Sequence, residues 1–320
     1  MIDMNKNFAF VFPGQGSQSV GMLDAWNGHP AVVETLKEAS DAMGEDMASL
    51  IQQGPKEALA LTTNTQPVML IAGVASWRVW LAEGGAEPAA VAGHSLGEYS
   101  ALVASGVLTL AQAAPLVRFR AAAMQEAVPV GAGAMAAIRG MAADAVIAGC
   151  AEAQATFAAD SAEVVEAVNF NDPAQTVIAG SKAAVEKACE MLKAAGAKRA
   201  LPLPVSAPFH SSLMKPAADK LKAKLADTVL AAPRIPVINN IDVAVQTDAE
   251  AIRDALVRQA FGPVRWVECV AAIKARGLTT VVECGPGKVL AGMVRRIDAE
   301  LTGAAMYDPA SLGEVKALLG

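Results

Sequence analysis

Residues 89–104 read AAVAGHSLGEYSALVA. The run Ala89–Ala92 has the length and apolarity of a buried strand, Gly93, His94, Ser95, Leu96 and Gly97 spell GxSxG, and an Ala-rich helical stretch continues from about Leu96 to Ala104. A strand, a turn bracketed by glycines and a helix make the nucleophile elbow of α/β sheets, where the glycines permit the sharp bend that lifts a serine hydroxyl out. The same letters allow a second reading. Ser95 and Glu98 also form S-x-x-E, a capping box that opens a helix without any chemistry.

Outward from this stretch the strand-then-helix order repeats. Phe8–Phe12 ends at Pro13, Gly14, Gln15 and Gly16; Val237–Ile241 ends near Asn239 and Asn240; Thr279–Glu283 ends at Gly285, Pro286 and Gly287. Such alternation predicts an α/β fold with a mainly parallel sheet, whose ligands bind beyond the carboxyl ends of the strands, where these glycine loops lie. The middle of the chain reads differently: strand Ala134–Ile138, helix Ala142–Ala155, strands Val164–Phe170 and Gln175–Ala179, helix Lys182–Ala195, strand Arg199–Val205. That is the split βαβ order of a ferredoxin-like lobe, with Asn171, Asp172 and Pro173 as its central turn. The expected organisation is a core of residues 1–126 and 206–320 with a ferredoxin-like small subdomain inserted at 127–205.

A chain of 320 residues with 53% apolar and 18% charged residues can bury a large core and is not a disordered one. No apolar run reaches the roughly 20 residues that cross a bilayer, and Phe8–Phe12 is too short for a signal-peptide core, so a soluble cytoplasmic protein is expected. Cys150, Cys189, Cys269 and Cys284 are widely spaced with no CxxC pair, which points to buried reduced thiols instead of disulfides or a zinc site. The net charge of −6 argues against a general nucleic-acid binder. Yet Lys182–Lys224 holds nine basic residues against three acids, a local charge of +6. Two ordinary solvated helix faces or a docking zone for an acidic partner would each produce that pattern.

A serine hydroxyl is a weak nucleophile until a base takes its proton, and the chain offers three histidines. His29 sits in a polar turn before Pro30, and His94 leaves the strand on the face opposite its neighbour Ser95. Elimination leaves His210, which stands just before a predicted helix. The Gly14–Gly16 loop fails as a phosphate loop, since GxGxxG breaks at Ser19 and Met22 and Leu23 stand where Lys and Ser or Thr would follow. It reads either as a tight turn or as a source of a backbone N–H for a developing oxyanion, with the Leu96 amide as the second donor. In the helix around Leu110–Ala127, rotation of 100° per residue puts Arg120 about 40° from Leu116, in the stripe of Val117 and Met124, while Arg118 falls at about 200°. A guanidinium keeps its proton, so a buried Arg120 needs an anion, either an internal Asp or Glu or a carboxylate arriving with the substrate. Acyl transfer through a serine ester fits these features. The rivals are a serine thioesterase or esterase using the same Ser95 and His210, and a non-catalytic binding module in which Ser95 is only a cap.

Six ordered stretches resemble the malonyl-CoA:acyl carrier protein transacylase family: FVFPGQGSQ at 10–18, GHSLGEYSAL at 93–102, RAAAMQ at 120–125, VNFNDPAQTVIAG at 168–180, PVSAPFHSSLM at 204–214 and VECGPGKVL at 282–290. The resemblance implies an α/β-hydrolase-like core, a ping-pong transfer of malonyl from malonyl-CoA to the carrier protein's phosphopantetheine thiol in fatty acid synthesis, and no metal or redox cofactor. It implies Ser95 as nucleophile, His210 as base, the backbone amides of Gln15 and Leu96 as oxyanion hole, and Arg120 as the grip on the malonyl carboxylate. In the family a backbone carbonyl orients the histidine, and Val257–Gln259 matches the segment supplying it, so the resemblance assigns Gln259. Phe209 resembles the version of its motif that selects malonyl over methyl-branched groups. The carrier protein of the family is acidic, which gives the basic zone Lys182–Lys224 a partner. A monomer with neither nucleic-acid nor membrane partner is expected. Transfer in preference to hydrolysis rests on the resemblance alone.

Overall fold

The computed structural model describes residues 7–26, 28–158 and 160–320. Its strands are β1 (Phe8–Phe12), β2 (Ala90–Gly93), β3 (Gly133–Arg139), β4 (Val165–Asp172), β5 (Gln175–Ser181), β6 (Arg199–Pro202), β7 (Val237–Ile238), β8 (Thr280–Cys284) and β9 (Thr302–Met306). They form a five-stranded sheet in the order β7-β2-β1-β8-β9, parallel throughout, and an antiparallel four-stranded sheet in the order β4-β5-β3-β6. Contacts divide the chain into two units. One takes in Met1–Ala121, Thr228–Ile252 and Cys269–Gly320, the other Ala122–Asp227 and Arg253–Glu268.

In the first unit β1 is central and buried at every residue, as a strand covered on both faces must be. Phe8 and Phe10 meet Trp77 and Trp80 of the helix Thr62–Ala82 edge to face, with centroids 5.3–6.2 Å apart. Such pairs add about 0.5–1.5 kcal/mol each beyond the area they bury. From Pro67 to Trp77 that helix is apolar on nearly every side and correspondingly buried. The register Phe12↔Gly93 sets the ends of β1 and β2 side by side, so the loops that follow them start together.

The second unit contains the ferredoxin-like arrangement. The helices Ala143–Gln154 and Lys182–Ala194 bury Val146, Cys150, Val185, Ala188 and Leu192 in one cluster with Ile138 and Ile178 of the sheet. On the second helix the apolar residues recur at the spacing of a single helical face. The unit extends past 127–205, because later chain hydrogen-bonds to β4. Phe170 N–H donates to the Val264 carbonyl at 3.0 Å, Val264 N–H to the Val168 carbonyl at 2.8 Å, and Ser212 N–H to Glu166 Oε2 at 2.7 Å. His210 and Gln259 therefore belong to this unit.

Three expectations need correction. The strand from Val237 ends at Ile238, because the chain turns at once: Asn239 N–H donates to the Ala244 carbonyl, and Asp242 N–H to Asn239 Oδ1. The strand from Arg199 stops at Pro202, where Pro202 and Pro204 lack ladder donors. Cys150, Cys269 and Cys284 are buried free thiols, whereas Cys189 is half-buried. Among the described residues, no helix is long and apolar enough to cross a membrane.

Candidate active site

The GxSxG turn lies in the first unit between β2 and the helix Gly97–Ala104. Ser95 has φ +53°, a left-handed conformation that a side-chain-bearing residue adopts at a cost of roughly 1–3 kcal/mol. Only glycine fits on either side. A Cβ on Gly93 would lie 1.9 Å from the Gly97 carbonyl carbon, and one on Gly97 would lie 2.0 Å from the Phe12 carbonyl oxygen. The capping-box reading fails on position and partner. The cap falls on Leu96, and the Glu98 carboxylate accepts from the Asn240 backbone N–H at 2.8 Å. The Leu96 amide stands at the start of the helix, where backbone N–H groups point outward with partial positive charge.

Arg120, on the helix Leu110–Glu126, is 2% exposed, as its place on the apolar stripe predicts. Its Nη1 donates to Gln66 Oε1 at 2.6 Å, its Nη2 lies 3.4 Å from Ser95 Oγ, and its Cζ sits 5.5 Å from the centre of the Tyr99 ring. Burial lowers its pKa, with Tyr99 and Glu98 opposing that shift and favouring the charged form. Burial likewise pushes the Tyr99 hydroxyl up to about 12, against the pull of Arg120. Gln66 is a neutral amide, so its bond orients the guanidinium without neutralising it. The chain of contacts continues from Gln66 Nε2 to Thr62 Oγ1 at 3.3 Å and from Thr62 Oγ1 to Gln15 Oε1 at 3.1 Å. Ser95, Leu96, Arg120 and Gln15 are thus parts of one unit. Arg118, on the opposite side of the helix, bonds instead to Asn64 and Glu45.

The second unit holds His210, Gln259 and Phe209. His210 is buried in a tight turn, at φ +67°, with Ser211 Oγ donating to the Pro208 carbonyl at 2.7 Å. Its Nδ1–H donates to the backbone carbonyl of Gln259 at 2.9 Å. A carbonyl only accepts, so Nδ1 carries a proton, and in the neutral imidazole this tautomer leaves the lone pair on Nε2, the nitrogen a general base would use. Phe209 is buried beside it in the chain. His29, as expected, is elsewhere: its Nδ1 caps a helix at the Ala31 N–H, 3.2 Å away.

Residues 9–313 match the model of the acyl transferase domain. The chain belongs to the acyl transferase family. This acyl transferase is 56% identical over 306 residues to the malonyl CoA-acyl carrier protein transacylase of Salmonella typhimurium, an alignment that covers 95% of this chain and 97% of the other. Among solved structures, it is similar to the acyl-carrier-protein S-malonyltransferase of Burkholderia pseudomallei at 65% identity and TM-score 0.93, over 96% of this chain and 98% of that one. It is also similar, at 52% identity and TM-score 0.92 over 95% and 97% of the two chains, to a malonyl-transacylase in complex with its type II PKS acyl-carrier protein.

Sequence reasoning passed over Gln66, Thr62, Tyr99 and the bonding role of Asn240 in the acyl transferase. Gln66 closes the polar stretch Thr62–Gln66 just before the apolar run that begins at Pro67, and its burial became visible only in the structure. Asn240 stood at the end of a predicted strand, where ligand-proximal residues of parallel sheets collect.

Proposed function

We propose that this acyl transferase moves a malonyl group from malonyl-CoA to the phosphopantetheine thiol of an acyl carrier protein, through a malonyl ester of Ser95. The names of its relatives support the reading, and one observation carries it: a buried guanidinium, held by a neutral amide, with Nη2 3.4 Å from the Ser95 hydroxyl. In a malonyl thioester the carboxylate lies two bonds from the reacting carbonyl carbon. A fixed cation beside the nucleophile suits that short reach, and an uncharged acyl group gains nothing from it.

In the proposed mechanism, Ser95 Oγ passes its proton to His210 Nε2 while attacking the thioester carbonyl. The backbone N–H groups of Gln15 and Leu96 receive the developing oxyanion. As the C–S bond breaks, the imidazolium returns the proton to the CoA sulfur. The carrier-protein thiol then repeats these steps in reverse roles and leaves with the malonyl group. The Gln259 carbonyl holds the imidazole in the required tautomer and stabilises its charged form. Every proton and bond in the cycle is accounted for by these residues and the two thiols, so the proposal calls for no metal or redox cofactor. Phe209 serves to narrow the acyl site against methyl-branched groups.

The acidic carrier protein is proposed to dock on the basic zone Lys182–Lys224. Lys215 pairs with Asp219 and Lys220 with Glu126 within their own unit, and Lys182, Lys193, Lys198, Arg199 and Lys222 are exposed. Intact-mass measurement after mixing with malonyl-CoA tests the reading. The expected result is one malonyl adduct that Ser95→Ala abolishes and that a carrier-protein thiol removes as malonyl-carrier. Rapid release of free malonate without an acceptor would identify a hydrolase, and absence of any adduct would leave a binding module.

A further inference from the structure

The Ser95 turn is held by a side chain 145 residues away in sequence. Asn240 follows β7, which pairs with β2, the strand that leads into the turn. Its side-chain amide is completely buried and spans the bend. Nδ2 donates to the Gly93 carbonyl at 2.8 Å, and Oδ1 accepts the Ser95 N–H at 2.7 Å. The Asn240 backbone N–H donates to Glu98 Oε2 at 2.8 Å, which fixes the first turn of the following helix as well. Because a carbonyl can only accept and an N–H can only donate, these partners leave the amide one orientation.

The local chain cannot do this for itself. Within the bend, backbone bonds run from Gly97 N–H to the His94 carbonyl and from Glu98 N–H to the Ser95 carbonyl, and the Ser95 N–H precedes that ladder. A residue in the left-handed region persists only where its surroundings over-determine it. Asn240 supplies that constraint at the residue before the bend, at the serine and, through Glu98, after it.

We propose that Asn240 is a positioning residue that locks the Ser95 turn in the geometry needed for acylation; this rests on the reading of Ser95 as the nucleophile. Asparagine suits the task because it is donor and acceptor at once. A carboxylate in its place would turn an acceptor towards the Gly93 carbonyl, and an aliphatic side chain would take away both bonds that Asn240 makes across the bend. Arg120 and its bond to Gln66 make no use of Asn240, so the preference for a carboxylate-bearing acyl group is independent of it.

The test is the rate of malonyl-Ser95 formation, by rapid quench and intact mass, in wild type, Asn240→Ala and Asn240→Asp, with melting temperatures measured alongside. For folded Asn240→Ala, kcat should fall by about 10²-fold, the scale of loss when a reacting group is misplaced by an ångström, with KM for malonyl-CoA changed less than about threefold. The ratio of malonyl to acetyl transfer should stay at its wild-type value. Asn240→Asp keeps shape and the acceptor for Ser95, and should lose at least about tenfold in kcat even where Asn240→Ala is insoluble. Acylation within threefold of wild type in a folded variant would overturn the proposal. So would a loss confined to KM, a collapse of the malonyl preference together with the rate, or insolubility of both variants, each of which makes Asn240 a general structural residue. A wild-type protein that forms no adduct would remove the nucleophile reading itself, which separates that failure from this one.

Discussion

Replacing Arg120 tests the most specific element of the proposed chemistry. The guanidinium is 2% exposed, bonded through Nη1 to Gln66 and within 3.4 Å of Ser95 Oγ through Nη2. In Arg120→Ala the malonyl carboxylate would enter a dry site with no counter-charge. Removing one partner of a buried charged pair costs about 3–5 kcal/mol, and 1.36 kcal/mol is a factor of ten, so kcat/KM for malonyl-CoA should fall by roughly 160- to 4,700-fold. Acetyl-CoA, which has no carboxylate to hold, should change by less than about tenfold. Arg120→Lys keeps the charge but loses the planar fork that serves Gln66 and the substrate together, and should fall between the two. The assay is transfer from each thioester to a carrier-protein thiol at several concentrations, with circular dichroism to confirm the fold. Equal losses for malonyl and acetyl groups would refute the carboxylate assignment and return Arg120 to a structural role.

Gly97→Ala should destabilise the protein without touching any reacting atom, because its Cβ would stand 2.0 Å from the Phe12 carbonyl oxygen, which is backbone and cannot swing away. Overpacking of this kind should cost roughly 3 kcal/mol or more, about 5 °C in Tm, and a variant that melts within a degree of wild type would contradict the close packing described. Glu283, buried in β8, accepts the Ala291 N–H through Oε2 at 2.9 Å, and burial raises its pKa from the ordinary 4.5 to about 7, partly offset by bonds from the backbone of residues 289–291. The folded state therefore holds this proton more tightly than the unfolded chain, so the group's favourable contribution is complete below pH 4.5 and is lost as pH rises through about 7. Glu283→Gln, which stays neutral, should flatten the pH dependence of denaturant stability in that window and gain ~3 kcal/mol on wild type at pH 8; parallel curves would show that Glu283 is not the titrating group.

Much of the architecture was legible because it is written in local patterns. The strand-then-helix alternation, the inserted split βαβ order and the glycine-bracketed turn each occupy a short stretch whose periodicity or steric demand decides its conformation, and the parallel and antiparallel sheets appear where those patterns put them. The helical wheel separated Arg120 from Arg118, and the structure buries the first among Gln66, Tyr99 and Ser95 and ties the second to Glu45. What the letters could not show is which distant group completes each local feature. Whether Ser95 opens a helix or stands clear of it depended on where the Glu98 carboxylate went, and it went to Asn240. The Gln66 amide beside Arg120 comes from 54 residues earlier, and the carbonyl that sets the His210 tautomer comes from 49 residues later. Periodicity and steric exclusion act between neighbours in the chain and survive in the sequence. Hydrogen bonds and charge compensation act between neighbours in space, so those partners are chosen only when the sheet registers bring separate segments together.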